Sequence, residues 1–171
     1  MRGVQGDRLQ RSRIVLSACC LLLLLSASGV RSDPVAELLA DPTFDAVFHD
    51  YVSALDGFGA ADLSLELNDS IEDALLGGSF LSRPGLGRQR AEIGDALMST
   101  ARVALCSQGA PATQASVGPG SEPVRRACAE GALAARRVGG EALDAGDLGM
   151  LAAVCARLVT TPSVARWCAS P

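Results

Sequence analysis

Apolar residues in this chain return at steps of three and four between glycine and proline breaks, and that rhythm restricts it to helices. Phe44, Val47, Phe48, Tyr51, Val52 and Leu55 fall on one face of a helix. No strand-like alternation of β-branched residues occurs, so the expected fold class is all-α. Asp33-Pro34 starts a first helix, because proline suits an early helical position, and Asp41-Pro42 breaks it. Gly57 to Gly59 ends the second helix. Further helices are expected over 62–76, 88–107, 124–143 and 148–159. Between them lie Gly77-Gly78, the turn Ser82-Arg83-Pro84-Gly85 and a Gly/Pro/Ser/Ala-rich loop over 109–123. Asp144-Ala145-Gly146-Asp147 supplies a turn and an N-cap, and Thr160-Thr161-Pro162 closes the last helix before a short tail holding Trp167.

The first 32 residues read as an address label. Arg2, Arg8, Arg11 and Arg13 form a basic stretch, and Ile14 to Leu25 an apolar core of 12 residues with Cys19, Cys20 and five consecutive leucines. Val30 and Ser32 are placed like a cleavage site, which is the pattern of a secretory signal. A span would need about 20 apolar residues, so no membrane span is expected after cleavage. Leu16-Ser17-Ala18-Cys19 resembles a lipoprotein box, but most of the apolar run lies beyond it.

Residues 33–171 are then read as a single helical domain, long enough for a real core. Losing the leader removes five arginines and Asp7, leaving 10 basic against 18 acidic residues, a net charge near −8. There is no lysine. An acidic, lysine-free surface excludes the usual footprint for nucleic acid and offers no polybasic patch for anionic membranes.

Four cysteines remain: Cys106, Cys128, Cys155 and Cys168. An even number behind a signal peptide points to disulfides, with three possible pairings. One histidine, His49, and no CxxC pair leave no tetrahedral metal spacing. His49 lies near Asp45 and Asp50 on neighbouring turns, but no partner serine or cysteine motif is close by, and no acid–base or nucleophile set points to an enzyme. Asn68-Asp69-Ser70 is a possible glycosylation sequon placed within an expected helix. Gly139 and Gly140 interrupt the cysteine helix, each at a cost of about 1 kcal/mol relative to alanine. Close approach of another helix or of a flat ligand would justify them; a kink or simple tolerance is the equal alternative.

Cys128 has Arg125, Arg126, Arg136 and Arg137 on its own helix and Glu130 close by. Positive charge favours the nucleophilic thiolate, and arginine binds carboxylates in bidentate fashion. A thiol carrying a carboxylate-bearing ligand through a thioether would want this arrangement. On composition alone a disulfide is favoured.

The spacing of these residues resembles the β subunits of phycobiliproteins, closest to phycoerythrin. Arg125-Arg126 precede Cys128; Arg137 follows, then Ala145-Gly146-Asp147, then Cys155, with Ala142 and Leu151 also in agreement. Ala101-Arg102-Val103-Ala104-Leu105-Cys106 and the loop after it resemble the family's preceding helix and loop, and Phe44-Asp45-Ala46-Val47 its opening helix. At the two positions where the family has arginine and the aspartate that holds the pyrrole nitrogens, this chain has Glu130 and Gly131.

The resemblance implies a globin-like helical fold with an N-terminal extension that docks to a partner phycobiliprotein-like subunit in a hetero-oligomer. It implies a non-enzymatic light-harvesting subunit with a covalently attached bilin, an open-chain tetrapyrrole, for excitation energy transfer. Cys128 would be the anchor, Cys106 would lie near an outer linking position, Arg125 or Arg126 would pair with the propionates, and Glu130 would face the pyrroles. The compartment would be a plastid or thylakoid lumen reached through the secretory path. The alternative is a secreted, disulfide-stabilised helical protein acting as a binding or signalling ligand, in which case the compartment is extracellular.

Overall fold

The computed structural model describes residues 33–76, 85–107, 117–140 and 143–169. The leader expected over residues 1–32, with Cys19 and Cys20, the turn residues 82–84 and most of the Gly/Pro-rich loop lie outside them. Residues 33–171 form one compact unit. The described residues are all-α, with no strand among them.

The helices, numbered in chain order, are α1 (Pro34–Leu39), α2 (Pro42–Ala54), α3 (Ala60–Leu76), α4 (Leu86–Cys106), α5 (Glu122–Gly139), α6 (Ala145–Thr160) and α7 (Val164–Ala169). Their starts follow from local chemistry. The Asp33 carboxylate accepts from the Val35 N–H, and the Asp41 carboxylate accepts from the N–H groups of Thr43 and Phe44. Each aspartate is followed by proline, whose missing N–H costs nothing in the first turn. At α6 the Asp144 and Asp147 side chains each accept from the other's backbone N–H, a reciprocal capping box.

Helix α6 lies at the centre. Leu148, Leu151, Ala152, Ala153, Val154, Cys155, Ala156 and Val159 are all fully buried. A helix apolar on nearly every side must be covered on nearly every side. Helices α2, α3 and α5 pack most extensively on α6, while α4 and α5 form the longest helix pair. Phe44 and Phe48 of α2, Leu63 and Ile71 of α3, and Ile93 and Leu97 of α4 complete the core.

Two helix crossings are closed by glycine. At Gly131 on α5, an added Cβ would stand 2.4 Å from the Leu97 carbonyl oxygen of α4. At Gly149 on α6, it would stand 2.7 Å from the Phe44 carbonyl oxygen of α2. The two backbones approach too closely for any side chain, so small residues set the helix spacing.

The cysteine helix ends earlier than its periodicity predicts. It stops at Gly139 rather than running to Leu143, because Gly140 takes φ +77°, a conformation that only glycine reaches without strain. The Gly140 N–H donates to the Arg136 carbonyl and caps the helix. Gly139 has a different reason: an added Cβ would stand 3.1 Å from Ile93 of α4 and 3.0 Å from Leu143. Of the explanations offered for this pair of glycines, close helix approach fits Gly139, while Gly140 does something the sequence reading did not offer and stops the helix. The expected tail also differs. Residues 164–169 form the short helix α7, too brief to show a helical period in sequence.

Candidate functional site: the cysteine helix and its arginines

Cys128 and Cys155 are joined by a disulfide, with Cα atoms 5.8 Å apart. Cys106 and Cys168 form the second, with Cα atoms 5.7 Å apart. Both separations lie in the ordinary range for a bridge. The two differ in setting. Cys128 and Cys155 are fully buried and tie α5 to the central helix α6, whereas Cys106 and Cys168 are partly exposed and tie the end of α4 to α7. Two such bridges are compatible with an oxidising secretory or extracellular setting.

This pairing agrees with the disulfide reading of the four cysteines and leaves neither Cys128 nor Cys106 as a free thiol for the bilin linkage that the resemblance implies. A thioether needs a free thiol, and both sulfurs are bonded to other cysteines. The residues around Cys128 are also committed elsewhere. Arg125 donates from one guanidinium nitrogen to the Leu39 carbonyl oxygen at 3.2 Å and to the Asp45 carboxylate, and it lies 5.8 Å from the centre of the Phe48 ring. Its Nε is buried with no partner among the described residues. Arg126 donates to the Asp33 carboxylate at 2.6 Å and stands 3.7 Å from Glu130. These are clamps that hold α1 and α2 against α5, not free propionate receptors.

The electrostatics of that clamp are mutual. The hydrogen bond from Arg126, with help from the Val35 N–H, holds the Asp33 carboxyl below its ordinary value. The same bond pushes the Arg126 guanidinium up.

The bilin geometry fails at a further point. Gly131, where the resemblance would imply a pyrrole-binding carboxylate, faces the Leu97 carbonyl at the α4–α5 crossing. A tetrapyrrole therefore does not fit the residues present around Cys128: the sulfur is bonded and buried, the arginines are paired, and the adjoining helix face is filled by another helix.

The remaining expectations fall in separate places. His49 is exposed on α2, with Nε2 3.4 Å from the Asp45 carboxylate already engaged by Arg125. Asn68 is exposed on α3, and its amide donates to the Ser64 carbonyl at 3.0 Å. Ser70, the hydroxyl residue of the same sequon, is buried, with its hydroxyl 3.4 Å from Glu66. Among the described residues, no cluster of three or more His, Cys, Asp or Glu side chains is gathered to hold a metal ion. No described helix is long and apolar enough to cross a membrane.

Two arginines carry structural roles that the sequence reading passed over. Arg157, near the end of the otherwise apolar α6, donates to the Val52 carbonyl at 2.7 Å and to the Asp56 carboxylate at 3.0 Å, satisfying the end of α2. A lone basic residue on so apolar a helix is the signal that could have revealed it. Arg102 donates to the Trp167 carbonyl at 3.0 Å and lies 5.5 Å from the centre of the Trp167 ring, fastening α7 beside the Cys106–Cys168 bridge.

Compared with family models, with curated proteins and with solved structures, the chain finds no match in any of the three.

Proposed function

We propose that this chain is a secreted, disulfide-stabilised helical protein that acts extracellularly as a binding or signalling ligand, and that its cysteine helix is a structural spine rather than a pigment carrier. The observation that carries this reading is the Cys128–Cys155 bridge, fully buried between α5 and α6. A reactive or ligand-bearing cysteine is expected to be partly exposed in an electropositive setting. Here the positive groups nearest in sequence spend their charge on Asp33 and Asp45, and the sulfur is spent on a second cysteine.

The secretory-type leader and the even cysteine count agree with this reading. So does the use of arginine to staple helix to helix, which leaves a rigid body whose outer surface can engage a partner. Such a protein works by presenting a preorganised surface, which lowers the ordering cost of association.

The test is secretion followed by binding. The full chain, expressed with its leader in a secretory host, is expected in the medium, colourless, with both bridges formed. The labelled protein is expected to bind intact cells of its source saturably, and reduced, alkylated protein is expected to lose that binding. Retention inside the host, a visible absorbance band that stays with the denatured chain, or binding unchanged by reduction and alkylation would overturn the reading.

A further inference from the structure

Among the described residues, most arginines are engaged in internal contacts. Arg88 pairs with Glu92, Arg90 with Glu72, Arg125 with Asp45, Arg126 with Asp33, and Arg157 with Asp56, while Arg102 holds Trp167. Arg136 and Arg137 break this pattern. Both are exposed near the end of α5, and neither has an ion pair or hydrogen bond from its side chain among the described residues. Both line the same open surface depression of about 410 Å³, whose other walls are Pro34, Leu133 and Gly140.

Part of the placement follows from helix geometry. Leu133, Arg136 and Arg137 stand at three- and four-residue steps on one side of α5, and Gly140, which stops the helix, borders the depression at its end. Pro34, in the first turn of α1, closes the other side, and the Asp33–Arg126 pair next to it fixes α1 in place. The result is an apolar floor beside two guanidinium groups that have no ion pair among the described residues.

We infer that this depression is the docking surface for an acidic segment of a partner protein, one that carries an apolar side chain beside its carboxylates. Two guanidinium groups match carboxylates in bidentate geometry. Leu133 and Pro34 offer the apolar side chain a place out of water. The depression is open, whereas a small organic ligand is ordinarily buried over most of its surface, and this favours a length of chain laid across it. The rest of the mature protein is strongly acidic, which repels long polyanions and leaves a short acidic segment as the matching partner.

The inference rests on the proposed role as an extracellular ligand, because it names the chemistry of the partner's contact. The probe is an acetylated, amidated peptide of sequence Glu-Glu-Leu-Glu-Glu, titrated into the disulfide-intact mature protein and followed by backbone amide shifts. Saturable shifts are expected at Leu133, Arg137 and Gly140. The exposed double variant R136Q/R137Q should keep the helical signal of the parent and weaken binding about tenfold or more. R88Q, on another helix, should bind as the parent does. A peptide with glutamine for every glutamate should bind at least tenfold more weakly.

The inference is overturned by shifts spread over the whole surface, by equal binding of the glutamine peptide, or by full binding to R136Q/R137Q. Octanoate reproducing the same shifts at equal concentration would also overturn it, and would name a small amphiphile instead. Should R136Q/R137Q bind cells as well as the parent does, this surface is wrong while the extracellular role stands. Should neither protein bind cells, the role itself fails.

Discussion

The sulfur of Cys128 is bonded to that of Cys155, and through this bond the most arginine-rich helix of the domain is joined to its most apolar one. The bond encloses a stretch with a sequence separation of 27 and sits in a fully buried position. The chain-entropy relation for a loop of that size gives about 3.5 kcal/mol at 25 °C. The double variant C128A/C155A is therefore expected to lose about 3 kcal/mol of unfolding free energy in urea, with the second bridge intact. A loss under about 1 kcal/mol would mean that the bond does not restrain the unfolded chain as described.

The two bridges are expected to open in order. Cys106 and Cys168 are partly exposed, while Cys128 and Cys155 are fully buried. Reduction proceeds by attack of a thiolate on a disulfide sulfur, so access decides which bond goes first. Partial reduction in a mild thiol, followed by alkylation and peptide mapping, should label Cys106 and Cys168 before Cys128 and Cys155. Simultaneous labelling of all four would contradict the difference in burial.

Gly131→Ala and Gly94→Ala make a matched pair. Alanine in a helix interior is worth about 1 kcal/mol over glycine. At Gly94 an added Cβ meets the Ile71 side chain at an ordinary 3.6 Å, so G94A is expected to be neutral or stabilising by up to about 1 kcal/mol. At Gly131 the Cβ would stand 2.4 Å from a backbone oxygen, and α4 and α5 must separate. G131A is expected to destabilise by about 1–3 kcal/mol in chemical unfolding. Equal effects at the two sites would refute the close crossing.

Much of the fold could be read from residue order. The apolar steps of α2, the Asp-Pro starts of α1 and α2, and the Asp144 cap are local features, and each element forms where its local chemistry requires. The site was less legible. Arg125-Arg126-Ala127-Cys128 has the same spacing whether its arginines meet a ligand's carboxylates or those of Asp33 and Asp45, which lie 93 and 80 residues away from their partners. Which one they meet is a tertiary fact. Likewise, four cysteines allow three pairings, and only the packing of α5 on α6 and of α7 near the end of α4 selects one.

Alkaline pH offers a clean readout because the chain has no lysine and one tyrosine. Burial, and then the nearby Glu66 charge, raise the Tyr51 phenol above its ordinary value. A raised folded-state value means that the favourable contribution is present below the unfolded value of about 10 and is lost as pH rises through the folded one. Unfolding free energy is expected to fall between about pH 10 and the higher folded value. Y51F should flatten that fall and shift stability at pH 7 by no more than about 1 kcal/mol. An unchanged alkaline slope in Y51F would assign the effect elsewhere.

The clamp at Arg125 is expected to be worth more than its partner. Arg125 is largely covered and serves both the Leu39 carbonyl and Asp45, whose side chain is about half exposed. R125M should cost about 1–2 kcal/mol, and D45N less than about 1 kcal/mol because water screens the carboxylate. A double-mutant cycle in urea reads the coupling, and zero coupling would remove Asp45 from the clamp.

The most direct measurement is the intact mass of the purified protein before and after reduction, with non-reduced peptide mapping. The account predicts a gain of about 4 Da on reduction, as two bridges take up four hydrogens, with Cys128 linked to Cys155 and Cys106 to Cys168. A free thiol at Cys128, or an adduct on it that survives denaturation, would contradict the account.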